Sequence, residues 1–248
     1  MTSACIVTYN SAEEVAAALD SLINAKADIF VVDNASTDGT PEMIKQKYPA
    51  VHLIQSENDG FGAGNNKVIP LLHSRYHVVM NPDVTFDKDL LLKMADYMDA
   101  HPETALLTPR VVFPNGKEQL LPKYRPSLHF LAAGMLEKFG WPFTAWRKKY
   151  TGGSMDLTKP AQVGFATGCF MFFRTEVFKQ LNGFDETFFM YMEDADLTLR
   201  AKKLGKVIYH PDFSVIHAWK RESHSNKKLK KMHLDSVKLF MKKWGLKI

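Results

Sequence analysis

The chain has 248 residues, 46% hydrophobic and 24% charged, with a net charge of +5; this suits one sizeable globular domain and argues against a disordered or disulfide-stapled chain. Its longest apolar-rich run, Val163 to Phe173, is too short to span a bilayer, and the first ten residues lack the basic and apolar segments of a signal peptide. Cys5 and Cys169 are the only cysteines and read as buried thiols, so a cytoplasmic, reducing compartment is expected.

In chain order, short β-branched runs alternate with helical patterns. Ala4–Thr8 predicts a strand, and Ala12–Ile23 a helix with Val15, Leu19 and Leu22 on one face. Ile29–Val32 is a second strand, and Pro41–Tyr48 a helix capped by Thr40. Val51–Gln55, a short helix at Asn65–His73 and a strand at His77–Met80 follow, then a helix at Leu90–His101. Beyond Leu106–Phe113, Pro114-Asn115-Gly116 marks a hairpin turn. Residues 120–162 are irregular and rich in aromatic and basic side chains, the composition of a binding loop or lid. Cys169–Arg174 is a buried strand, Glu176–Leu181 and Glu193–Leu204 are helices, and Val207–His210 and Ser214–Ile216 are short strands.

This rhythm implies an α/β fold: a Rossmann-like, mostly parallel central sheet flanked by helices. Residues 1–218 form the domain, and 219–248 a basic, amphipathic C-terminal helical extension. From Trp219 to Ile248 ten Lys or Arg oppose two acids, giving +8 against −3 for the rest. Such a tail fits an anionic partner, a membrane surface or a phosphorylated acceptor. Its apolar residues can equally pack on the domain.

Ligands of such sheets sit at the carboxyl ends of the strands, where this chain places Tyr9-Asn10, Asp33-Asn34, Glu57-Asn58 and Asn81-Pro82-Asp83. Asp83 is either a turn residue or a carboxylate for a hard cation such as Mg²⁺. Asp33 can accept the imide N–H of uracil or thymine, while its loop also caps the following helix. The glycines of Gly60-Phe61-Gly62-Ala63-Gly64 leave room for a donor. Without a final glycine, and away from the first strand, they are no dinucleotide fingerprint. In Met192-Glu193-Asp194-Ala195-Asp196 the macrodipole explains one or two acids, whereas three after an aromatic run also fit a general base. His217 is either an ordinary hydrogen-bonded histidine or a partner of Asp83 on a cation. Lys220 or Arg221 would neutralise a leaving diphosphate.

Together Val7-Thr8-Tyr9-Asn10, Val31 to Gly39, Glu57 to Asn66, Asn81-Pro82-Asp83-Val84 and Gly183 to Leu197 resemble the family-2 inverting glycosyltransferases of GT-A fold, particularly their rhamnosyltransferase-like branch. The resemblance spans roughly residues 3–220. It implies that Thr8, Tyr9 and Asn10 border the nucleoside and Asp33, with Asn34 beside it, binds the base. Asn65 lies near the donor, Asn81 stands where the wider family has the first aspartate of its Asp-x-Asp motif, and Asp83 holds Mg²⁺ or Mn²⁺ on the diphosphate, with His217 as a further metal position. Asp194 matches the catalytic base, and Glu193 and Asp196 are placed on the acceptor side. The implied donor is dTDP-rhamnose first, then a UDP-hexose. The implied acceptor is a glycan or lipid-linked glycan in cell-surface polysaccharide synthesis, handled peripherally at the inner face of the cytoplasmic membrane, with no nucleic acid partner. A nucleotidylyltransferase is the alternative enzyme, but it would carry a glycine-rich basic loop where this chain has Thr8-Tyr9-Asn10-Ser11. The non-enzymatic alternatives are a nucleic-acid- or membrane-binding module driven by the basic tail and an inactive donor-binding protein.

Overall fold

The computed structural model describes residues 1–119, 121, 124–127, 130, 133, 136–151, 153, 155–219 and 227–245. The first block is a parallel sheet. β1 (Thr2–Thr8) pairs with β2 (Asp28–Asn34) and β4 (Tyr76–Met80), and β2 pairs with β3 (His52–Ser56). Helices α1 (Val15–Asn24), α2 (Thr40–Lys47) and α3 (Phe61–Asn66) lie on the crossovers between these strands. The helix expected at Asn65–His73 starts earlier, and only a 3₁₀ turn at Ile69–Leu71 follows it; Pro70 cannot donate a helical hydrogen bond there.

The second block joins antiparallel. β9 (Phe170–Arg174) lies between β4 and β6 (Thr104–Val112), antiparallel to both. β10 (Lys206–His217) runs parallel to β6 and carries β5 (Val84–Phe86) at the far edge, in the order β3-β2-β1-β4-β9-β6-β10-β5. The sheet is thus Rossmann-like and parallel through β4 and mixed beyond it. β10 replaces two expected short strands, because the Pro211-Asp212 interruption is a bulge between His210 and Ser214 rather than a turn. The Asn115-Gly116 hairpin forms as expected, with Gly116 at φ +78° returning β7 (Glu118–Gln119) along β6. The two-residue β8 (Ala161–Gln162) pairs with β10.

Both faces of the sheet are covered. Along β1, Ala4 and Ile6 pack under α1 and α4 (Leu90–Ala100), with Leu19, Leu22 and Met94 fully buried. Cys5 and Val7 face α6 (Thr175–Gln180) and α7 (Glu193–Ala201) through Phe178 and Leu197. Cys5 and Cys169 are both buried, in separate apolar clusters. A third cluster joins Phe188, Met192 and Leu199 to Phe240 and Met241 of α8 (Lys227–Trp244) and to Tyr150 of α5 (Phe143–Tyr150). α8 therefore buries its apolar side against the domain. No helix of the described residues is long and apolar enough to cross a membrane.

Candidate active site

β1, β2 and β4 deliver their last residues to one edge, and the register sets Thr8 beside Asp33. The Thr8 hydroxyl donates to Asp33 Oδ1 at 2.9 Å, and Ser36 N–H donates to Oδ2 at 3.0 Å. Asp33 is 1% exposed. Each of its oxygens has a second lone pair, so it can still accept from a nucleobase. Asn10, at φ +53°, steadies the same loop by accepting from Thr37 N–H at 2.8 Å and donating its own N–H to Ser36 Oγ at 2.8 Å. Tyr9 stands out into solvent. Asn34 turns away from the edge, donating to Gly60 O at 3.1 Å and accepting from Ser56 Oγ at 3.3 Å.

The glycine loop packs closely on the domain. A Cβ on Gly60 would stand 2.2 Å from Phe189 O, one on Gly62 2.8 Å from Phe184 Cβ, and one on Gly64 2.9 Å from Val7 Cγ2. These glycines let α3 seat against the domain itself. Within α3, Asn65 is fully buried; its amide donates to Phe61 O at 2.9 Å and its Oδ1 has no hydrogen-bond partner among the described residues.

At the end of β4, Asn81 and Asp83 meet His217 at the end of β10. His217 Nε2 lies 3.3 Å from Asp83 Oδ1 and 3.4 Å from Asn81 Nδ2. Gln119, which the sequence reading did not single out, fixes the imidazole. Its Nε2 donates to His217 O at 2.7 Å, so its Oε1, 3.1 Å from His217 Nδ1, must be the acceptor. Nδ1 therefore carries a proton, and Nε2 faces the Asp83 carboxylate. A proton or a metal ion at Nε2 would join the two groups. Burial pushes the Asp83 carboxyl up, but His217 and the Trp219 N–H at 2.9 Å outweigh it and hold the group below its ordinary value. Among the described residues no three His, Cys, Asp or Glu converge. An ion here would have two protein ligands and take the rest from phosphate and water, as Mg²⁺ sites commonly do. Lys220 and Arg221, expected at the diphosphate, lie outside the described residues.

The three acids of α7 separate into three environments. Asp194 accepts from Gly168 N–H at 2.9 Å and Ala195 N–H at 2.8 Å. Asn81 N–H donates to Cys169 O at 3.0 Å, so the two-residue segment Gly168-Cys169 links the Asp83 region to Asp194. Tyr191 and Met192, at φ +70° and +67°, form the bend that presents this helix start; left-handed backbone at bulky residues is costly and gathers at functional sites. Glu193 is buried, and its Oε2 has no hydrogen-bond partner among the described residues. Burial first, and then the Asp194 charge, push its carboxyl well above the ordinary range. Asp196 is fully buried and accepts from Arg200 Nε at 2.8 Å, Trp244 Nε1 at 2.8 Å and Lys243 Nζ at 2.7 Å. Expected on the acceptor side, it instead anchors α8 and leaves no surface for an acceptor.

Residues 3–181 match the family described as glycosyl transferase family 2, and residues 159–225 match the N-terminal domain of galactosyltransferase. The N-acetylglucosaminyl-diphospho-decaprenol L-rhamnosyltransferase of Mycobacterium tuberculosis is 30% identical over 246 residues, covering 92% of this chain and 78% of that protein. Rhamnosyltransferase WbbL of Escherichia coli is 28% identical over 187 residues, 71% of this chain and 67% of that protein. The mannosyltransferase PcManGT from Pyrobaculum calidifontis, solved in complex with GDP-Man and Mn²⁺, superimposes with a TM-score of 0.66 at 19% identity. The match covers 98% of this chain and 64% of that one, so the chain spans less than two thirds of that protein's length. The likeness shows the fold: the curled α/β sheet is of the GT-A kind.

Proposed function

Because this chain belongs to glycosyl transferase family 2, a family of nucleotide-sugar-dependent enzymes, we propose that it transfers rhamnose from dTDP-rhamnose, with inversion, to a hydroxyl of a lipid-linked glycan precursor. The carrying observation is the joint placement of a cation pair, Asp83 and His217, and a carboxylate, Asp194, on either side of the Asn81–Cys169 hydrogen bond. The rhamnosyl choice rests on the two rhamnosyltransferases at 30% and 28% identity. The acceptor class rests on the first relative's name, which carries a diphospho-decaprenol group.

In this reading Asp33 accepts the thymine imide while Thr8 and Asn10 hold the Asp33 loop in shape. Asp194 takes the acceptor hydroxyl's proton as that oxygen bonds to the anomeric carbon, and the bond from that carbon to the diphosphate breaks in the same displacement. Bound Mn²⁺ or Mg²⁺ supplies positive charge for the leaving diphosphate. Asp83 and His217 hold the cation position, and Lys220 and Arg221 are assigned to the same diphosphate. Beside Asp194 in sequence, Glu193 is buried, which disfavours a second negative charge next to the base. A UDP-sugar is the second reading of the donor, because the Asp33 carboxylate accepts uracil and thymine imides alike.

The test is calorimetric titration of dTDP, UDP and GDP, with and without Mn²⁺. The proposal expects dTDP to bind most tightly, Mn²⁺ to strengthen that binding, and Asp83→Ala to remove the strengthening. Preference for UDP would replace the donor, and failure of folded protein to bind any nucleotide would sink the proposal.

A further inference from the structure

α5 joins two unlike environments. At its C-terminal end Tyr150 is 6% exposed, stacked on Phe130 with ring centroids 5.1 Å apart. It packs in one cluster with Met192 and Ala195, which bracket the start of the helix that carries the proposed base. At the other end the pattern reverses. Trp141 is 83% exposed and Phe139 65%, and Trp146 is also exposed. Trp141 is the most exposed large apolar side chain among the described residues.

Cations surround these rings. Between residues 137 and 150 stand Lys138, Arg147, Lys148 and Lys149 against the single acid Glu137. Lys138 Nζ lies 5.1 Å from the centre of the Phe139 ring, Arg147 reaches Glu137 at 4.0 Å, and Lys148 and Lys149 point to solvent. Exposed aromatics gathered in one patch mark an interaction face. Aromatic rings with polar edges and long basic side chains together fit the interface of a bilayer, which offers apolar depth and anionic headgroups at once.

We propose that residues 137–149 are a membrane-docking face for anionic lipid, with Phe139 and Trp141 entering the interface and Lys138, Lys148 and Lys149 meeting the headgroups. This rests on the lipid-linked acceptor reading above and deepens it. α8, the most basic segment, is not the inserted element, because Phe240 and Met241 of its apolar side are buried in the domain. The eight residues of α5 span about 12 Å at 1.5 Å each. A membrane-anchored acceptor with its diphosphate in the headgroup plane would therefore stand within a short helix's reach of Asp194.

The test is flotation of the full chain with phosphatidylcholine vesicles, with and without phosphatidylglycerol. Calorimetric dTDP binding by the same proteins is followed in parallel, so that a failed lipid face and a failed donor site are told apart. Binding is expected only with phosphatidylglycerol. Phe139→Ser with Trp141→Ser should weaken it about tenfold or more, and Lys148→Gln with Lys149→Gln roughly fivefold for each charge removed. Melting curves and dTDP binding should match the parent, since these side chains are exposed. Equal flotation by the serine variant, loss only with Lys230→Gln and Lys231→Gln, or no binding to either vesicle would overturn the proposal. So would a parent dimer that Trp141→Ser dissolves, which would give the face to a second copy of the chain.

Discussion

Lys243→Met tests whether α8 is held to α7 through a buried carboxylate. Asp196 has no exposed surface and accepts three donors, of which Lys243 at 2.7 Å and the Trp244 indole at 2.8 Å come from α8. Removing the ammonium leaves a buried charge with only Arg200 and the indole, and breaking a buried pair costs about 3–5 kcal/mol. Lys243 is 33% exposed and also reaches Asp185 at 2.5 Å, so solvent screening lowers the figure to about 2 kcal/mol. In a chain of this size that lowers Tm by about 4–8 °C. The assay is urea and thermal unfolding of the parent, Lys243→Met, Asp196→Asn and the double variant. The double variant should be less destabilised than the sum of the singles by about 1–2 kcal/mol. Additivity within about 0.5 kcal/mol would refute the clamp.

Glu193→Gln should flatten the pH dependence of stability. The folded carboxyl titrates above its ordinary 4.5, so its stabilising contribution is full below that value and is lost as pH rises through the folded one. The variant should match the parent in acid and melt higher at neutral pH; parallel Tm–pH curves would count against a buried neutral Glu193. Gly60→Ala should cost about 2–4 kcal/mol, because its Cβ would overlap Phe189 O at φ +101°. Gly39→Ala, at φ +86° with nothing within 4 Å, should cost only about 1–2 kcal/mol from the backbone; equal losses by denaturant titration would remove the packing explanation. Asp194→Asn should cut sugar transfer by about 10²–10⁴-fold with dTDP affinity unchanged by calorimetry. A matching fall in affinity would move Asp194 from the base to the donor site.

The sheet edge that gathers Thr8, Asp33 and Asn81 was legible because β1, β2 and β4 are apolar runs that end abruptly in polar residues, and the parallel register brings those ends together. The mixed half was less so. Pro211 and Asp212 carry the composition of a turn, and only pairing with β6 on both sides makes them a bulge within β10. Nor can sequence sort the acids of α7. Successive side chains on a helix point about 100° apart, so neighbours in sequence face different surroundings. What faces Asp196 is Trp244, 48 residues away. Gln119 left one faint signal: the Asn115-Gly116 turn makes it part of a returning strand, opposite Val111. Nothing local shows that this strand ends beside His217.

With a proton held on Nδ1 by Gln119, an ion at Asp83 and His217 would be chosen by supply rather than by fit. A nitrogen and a carboxylate oxygen bind divalent metals in the general order Mn²⁺ below Fe²⁺, Co²⁺ and Ni²⁺, with Zn²⁺ also above Mn²⁺. Two protein ligands on separate strands impose too little geometry to reverse that ranking. An ion at Asp83 and His217 would therefore be whichever the surroundings keep abundant, and trace zinc would compete for the same two atoms.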